Sequence, residues 1–132
     1  MTLAAEMLRL TPSSIGFDRE DLAACIEACF DCLQSCTACA DACLGEDDVA
    51  ALRRCISTNL SCADVCASTG RILSRQFEYD AGLTRAMLEA CRLACRRCAE
   101  ECERHARHHE HCRVCAEACQ RCERACDALL TS

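Results

Sequence analysis

Residues 25–43 read CIEACFDCLQSCTACADAC. Cysteine stands at 25, 29, 32, 36, 39 and 43, in steps of four, three, four, three and four. A mean step of about 3.5 residues keeps one stripe of an α-helix turned toward a packed partner. Alternation by two, as in a strand, would send these thiols to opposite faces. The stretch therefore predicts a helix of about five turns or more, with sulfur where a bundle helix carries Leu, Ile or Val. The residues between, Ile26, Glu27, Asp31, Gln34 and Thr37 among them, predict its outer face.

The same stepping recurs in three further stretches. A helix over about 49–74 has the seam Leu52, Cys55, Asn59, Cys62, Cys66, Thr69 or Gly70, and Leu73. One over about 81–107 has Leu83 or Thr84, Met87, Cys91, Cys95, Cys98, Cys102 and His105. The last, about 111–130, has Cys112, Cys115, Cys119, Cys122, Cys126 and Leu129. The quoted stretch belongs to a helix over about 18–44, with Asp18 as N-cap and Gly45 as the C-terminal stop. Asp47 or Asp48 is expected to cap the second helix, and the acid–arginine pairs Glu100–Arg104, Glu103–Arg107 and Glu117–Arg121 stand at i,i+4. Residues 2–10 predict a short amphipathic helix, closed by Thr11-Pro12, that lies across the bundle or serves as an oligomer contact.

Short connections between four long helices specify an all-α, antiparallel, up-down-up-down four-helix bundle with a short extra N-terminal helix. Residues 1–17 form that helix and its connector, and residues 18–132 the bundle. The topology gathers the Glu46–Asp48 turn and the His105–His111 turn at one end. Leu22, Leu73, Met87 and Leu129 gather at the other, with Phe77 and Tyr79 expected to cover an end.

Cysteine is 18 of the 132 residues, a density usual in secreted disulfide scaffolds. The spacing argues against that reading. Facing helices lie roughly 8–10 Å apart, whereas a disulfide needs Cα atoms within about 7 Å and converging Cβ vectors. The start of the chain has no basic, apolar signal pattern, and no stretch approaches the ~18 apolar residues of a membrane span. The expectation is a cytoplasmic protein with reduced thiols and no membrane association. A net charge of −6 argues against nucleic acid as a partner. All fifteen basic residues are Arg, for which there is no physical account.

Filling a core with Cys in place of Leu predicts an underpacked interior that something else must complete. Thiolates select Cu(I), zinc and iron–sulfur clusters. A zinc ion held by four thiolates carries a net charge of −2, and several such sites along one closed axis would be poorly solvated. Cu(I) takes two or three sulfurs. With bridging thiolates the ratio approaches one metal per cysteine and the core is neutral. Ferredoxin runs use C-x2-C-x2-C-x3-C-P in a loop, unlike the helical C-x3-C-x2-C-x3-C here. A redox C-x-x-C beside a βαβ pattern is absent, and no thiol stands apart as a nucleophile. The reading is a non-enzymatic store of multiple Cu(I) ions, with zinc or iron–sulfur binding and a thiol redox reservoir as the competing readings.

The C-x3-C-x2-C-x3-C-x2-C-x3-C run from Cys25 is followed by C-x6-C-x3-C from Cys55, C-x3-C-x2-C-x3-C from Cys91 and C-x2-C-x3-C-x2-C-x3-C from Cys112. Together they resemble the bacterial copper storage proteins over residues 18–130. The resemblance implies that all eighteen cysteines are Cu(I) ligands and that the protein is a homotetramer. Copper-requiring enzymes or chaperones would be its recipients. Lacking a signal and carrying His at the open end, the chain is similar to the cytosolic branch. His105, His108, His109 and His111 are read as a mouth that passes copper inward. Asn59 is either a buried polar group needing a partner or a minor ligand.

Overall fold

Asp18 opens the bundle as expected, its carboxylate accepting the Asp21 N–H at 3.0 Å. From there the computed structural model, which describes residues 1–132, is helical with no strand. Helix α1 spans Leu3–Leu10, α2 Arg19–Leu44, α3 Arg53–Ser74, α4 Ala81–Glu103 and α5 Glu110–Leu130; a 3₁₀ turn, Val49–Leu52, leads into α3. Helix α2 lies against α3 and α5, and α4 against the same two, so the four long helices enclose one axis.

Sulfur records the antiparallel register directly. Along α2 and α5 the facing pairs are Cys25–Cys126 at 3.8 Å, Cys29–Cys122 at 3.8 Å, Cys32–Cys119 at 3.6 Å, Cys36–Cys115 at 3.7 Å and Cys39–Cys112 at 3.8 Å. One number rises as the other falls. Across α3 and α4 the pairs are Cys55–Cys102, Cys62–Cys95 and Cys66–Cys91, at 3.8, 3.9 and 3.9 Å.

These distances correct the expectation of an underpacked interior. They fall in the contact range of non-bonded heavy atoms, about 3.5–4.0 Å. The helices have closed around the smaller side chain, helped by Ala40, Ala63, Ala99, Ala116 and Ala118, which are buried beside the seam. Small residues at helix contacts shorten the interaxial distance.

Several local expectations fail for identifiable reasons. In α4 the aliphatic plug is Leu88, not Met87, because Thr84 and Leu88 continue the Cys91 stripe in steps of four and three. Phe77 is 77% exposed, and only Tyr79 covers the end, its ring 6.0 Å from that of Phe17. Ile26 is buried rather than outward, since α1 lies against α2 and buries Leu8 there. Phe30 lies over Gly70 of α3, where a Cβ would come within 2.9 Å of its ring. Gly45 stops α2 with φ −87°, so no left-handed residue is needed. Arg104 and Arg107 lie at and beyond the end of α4, and none of the three expected i,i+4 pairs forms. Arg113 instead holds Glu110 and Glu117, and Arg92 and Arg96 cross to Asp127 and Glu123 on α5.

Helix α2 is also long and apolar enough to cross a membrane by composition, with a mean hydropathy of 1.3 over its best window. That departs from the sequence reading because cysteine scores as apolar. Half of that window is buried in the bundle, with the sulfurs facing the axis.

Candidate metal centre

All eighteen cysteines are free and buried. Their sulfurs fall into sets of four whose members lie within 4.8 Å of one another: Cys29, Cys91, Cys122, Cys126; Cys32, Cys66, Cys95, Cys122; Cys32, Cys36, Cys62, Cys119; and Cys36, Cys98, Cys115, Cys119. The sets share members, so they form one continuous column. Cys32 is its hub, touching Cys36, Cys62, Cys95 and Cys119 at 3.6–4.0 Å. Metal–thiolate bonds of about 2.3 Å place sulfurs about 3.8–4.0 Å apart around a trigonal or tetrahedral ion. The column has that spacing.

Asn59 sits in the column between Cys55 and Cys62, fully buried. Its Oδ1 accepts from the Cys98, Cys115 and Cys102 thiols at 3.0, 3.3 and 3.6 Å, and its Nδ2 donates to Cys55 at 3.6 Å. The partners a buried amide needs are thus all sulfur. Ser35, half-buried on α2, donates to the Cys115 sulfur at 3.7 Å.

The four histidines do not share one place. His111 is half-buried, with Nδ1 at 3.3 Å from Cys39 Sγ and 3.6 Å from Cys112 Sγ; these three residues and Cys43 form a mixed set at the rim. His109 stacks on it, with ring centroids 5.5 Å apart. His105 turns aside, its Nε2 at 3.1 Å from Glu101, a buried carboxylate that also meets Arg54 at 3.2 Å. His108, also expected at the mouth, is exposed on the turn after α4. The turn redirects its side chain to solvent.

Three carboxylates escaped the sequence reading as site residues. Glu46 Oε2 lies 2.9 Å from His109 Nδ1 and 2.8 Å from His111 Nε2, and Asp48 Oδ2 lies 3.0 Å from His109 Nε2. Glu101 is the third. Their one signal was position: Glu46 and Asp48 occupy the turn that the topology sets opposite the histidines.

The Asp48 carboxylate, then Glu46, hold the His109 pKa above its ordinary 6.5. The same contacts, His111 first for Glu46 and His109 first for Asp48, hold these carboxyls below 4.5 and 3.8. The His109 contribution to stability is complete below 6.5 and is lost as pH rises through its raised value. The carboxylate contributions are present above 4.5 and 3.8 and are lost as pH falls. The tie across this end is therefore strongest between about pH 5 and the raised His109 value. By ring-proton NMR, His109 is expected to titrate above 6.5, and Asp48→Asn to bring it down toward that value. An unchanged midpoint would dissociate the two side chains.

A family model described as copper storage protein matches residues 18–131. The chain belongs to the copper storage protein family. Its fold superposes on that of a copper storage protein, Ccsp from Streptomyces lividans, whose structure carries ten copper equivalents. The TM-score is 0.95 and the identity 56%, over 97% of this chain and 98% of that one. The Cu(I)-bound copper storage protein BsCsp3 aligns at TM-score 0.71 with 34% identity, over 81% of this chain and 95% of that one. An uncharacterized cysteine-rich protein of Bacillus subtilis, YhjQ, is 35% identical over 80% of this chain and 93% of its own. Members of the copper storage family therefore include a Streptomyces protein with more than half of its aligned residues identical to these.

Proposed function

We propose that this chain is a cytoplasmic Cu(I) store that holds about one ion per cysteine along the bundle axis. The ligands are Cys25, Cys29, Cys32, Cys36, Cys39 and Cys43 of α2, with Cys55, Cys62 and Cys66 of α3. Helix α4 adds Cys91, Cys95, Cys98 and Cys102; α5 adds Cys112, Cys115, Cys119, Cys122 and Cys126. The observation that carries the reading is the sulfur spacing of 3.6–4.0 Å around Cys32, which suits bridged, three-coordinate ions. Asn59 Oδ1 lies within reach of ions on Cys98 and Cys115 and serves as an auxiliary donor. His111 receives copper at the rim with Cys39, Cys43 and Cys112, while His105 and His109 frame the opening. Storage requires no turnover, and no residue here is assigned a catalytic role.

Burial, then the negative charge of Cys55, pushes the Cys43 thiol up to about 11. A thiol in that state keeps its proton at neutral pH until a metal replaces it, so each thiol releases one proton to solvent when it becomes a ligand, however many ions it bridges. The homotetramer is part of the same proposal. Leu3 and Met7 of α1 are exposed beside Phe30, around a groove of about 570 Å³, and offer an apolar contact.

Anaerobic titration of the reduced protein with Cu(I), read by metal analysis and pH-stat together, is expected to saturate near eighteen ions per chain. Close to one proton should be released per ion at neutral pH. Saturation at one or two ions would overturn the proposal. Saturation near four, with zinc preferred over Cu(I), would favour isolated tetrahedral sites instead.

A further inference from the structure

The ring nitrogens of the two stacked histidines have different neighbours. His111 gives Nε2 to Glu46 at 2.8 Å, and its other nitrogen, Nδ1, faces Cys39 Sγ at 3.3 Å. His109 has Glu46 on Nδ1 at 2.9 Å and Asp48 on Nε2 at 3.0 Å, so neither of its nitrogens points a lone pair at sulfur. Glu46 thus meets both rings through the same oxygen.

An imidazole that donates one N–H to a carboxylate carries its lone pair on the other nitrogen, which fixes both the tautomer and the ring orientation. We propose that Glu46 is the positioning residue of the copper-receiving site: it takes the Nε2–H of His111 and thereby makes Nδ1 the ligand atom facing Cys39 and Cys112. His109 is a strut in this arrangement, not a ligand. Bridged between Glu46 and Asp48, it fixes the Glu46 oxygen against His111. Asp48 supports this division of roles. It occupies the N-cap position of the 3₁₀ turn yet makes no side-chain cap bond, its carboxylate being given to His109.

The inference rests on copper being the cargo, but its first test needs no copper. In the reduced, metal-free, full-length protein, long-range proton–nitrogen NMR is expected to show His111 protonated on Nε2 and bare on Nδ1. Glu46→Ala should abolish that preference. Glu46→Gln, whose amide oxygen can accept the same N–H, should restore most of it. In competition with a chromophoric Cu(I) chelator, Glu46→Ala should weaken the first equivalent about ten- to a hundredfold. Total capacity and helical circular dichroism should stay unchanged, and Glu46→Gln should recover the affinity. In a His111→Ala background, Glu46→Ala should add nothing further. An unaltered tautomer in Glu46→Ala, or an equal loss of affinity with and without His111, would overturn the assignment. Should Glu46→Ala fail to fold, the wild-type tautomer and the Glu46→Gln comparison decide. Failure of wild type to bind more than a few coppers would instead count against storage, leaving the tautomer result intact.

Discussion

Loading the reduced protein with Cu(I) is expected to raise its melting temperature by more than about 20 °C. A ligand present at about a thousand times its dissociation constant stabilises the folded state by about 4 kcal/mol per site when it does not bind the unfolded chain. Unfolded thiols bind Cu(I) too, which reduces the figure, but the column offers many overlapping sites. Even three sites at full value would supply about 12 kcal/mol, as much as the entire stability of an ordinary domain. The metal-free form is nonetheless expected to be folded, because its sulfurs are in contact and its helices bury a continuous seam. Calorimetry of the two forms under argon checks both statements. A rise of only a few degrees would place copper on the surface. Loss of helical circular dichroism in the metal-free form would make the fold itself metal-dependent.

The second large effect concerns the hub. Cys32→Ser is expected to remove about three ions per chain, because four neighbouring sulfurs, Cys36, Cys62, Cys95 and Cys119, lose a bridging partner at once. Cys43→Ser, at the rim, should remove about one. The serine hydroxyl is a hard donor and a near-isostere, so the loss reflects chemistry rather than shape. In the metal-free state Cys32→Ser should destabilise by about 1–3 kcal/mol, the usual cost of a buried hydroxyl among poor partners. Metal analysis of both variants separates a linked column from independent sites. Equal losses at the two positions would argue that each ion is held separately.

The bundle and its sulfur column were legible because a period of 3.5 needs only residue types and spacing. Every cysteine of the quoted run is buried, as are Asn59, Thr69, Gly70 and Leu73 of the second seam. Spacing says less where a stripe is about to end. Met87 and Leu88 both fit a three-or-four step, and it is Leu88 that the bundle buries. Ile26 flanks the sulfur stripe of α2, so its burial depended on where α1 would lie, which no periodicity encodes. The histidines were visible as a cluster, but their division of roles was not. It is decided by Glu46, Asp48 and Glu101, two of them in a turn distant in the chain and one buried on α4. The ion pairs that do cross between helices, Arg92–Asp127 and Arg96–Glu123, were equally invisible, because linear separation cannot express them.

The helix starts at the two ends of the bundle are finished differently. At the aliphatic end Asp18 caps α2 and Asp80 caps α4, each accepting a backbone N–H at 2.9–3.0 Å. At the other end neither Asp48 nor His109 provides such a bond; both side chains are spent on each other. A missing cap leaves the opening turn cheaper to unwind by about 1 kcal/mol. Breathing motions therefore have a preferred direction, with fraying confined to the rim and the far end held shut. The protein can loosen where cargo crosses without loosening where it is kept.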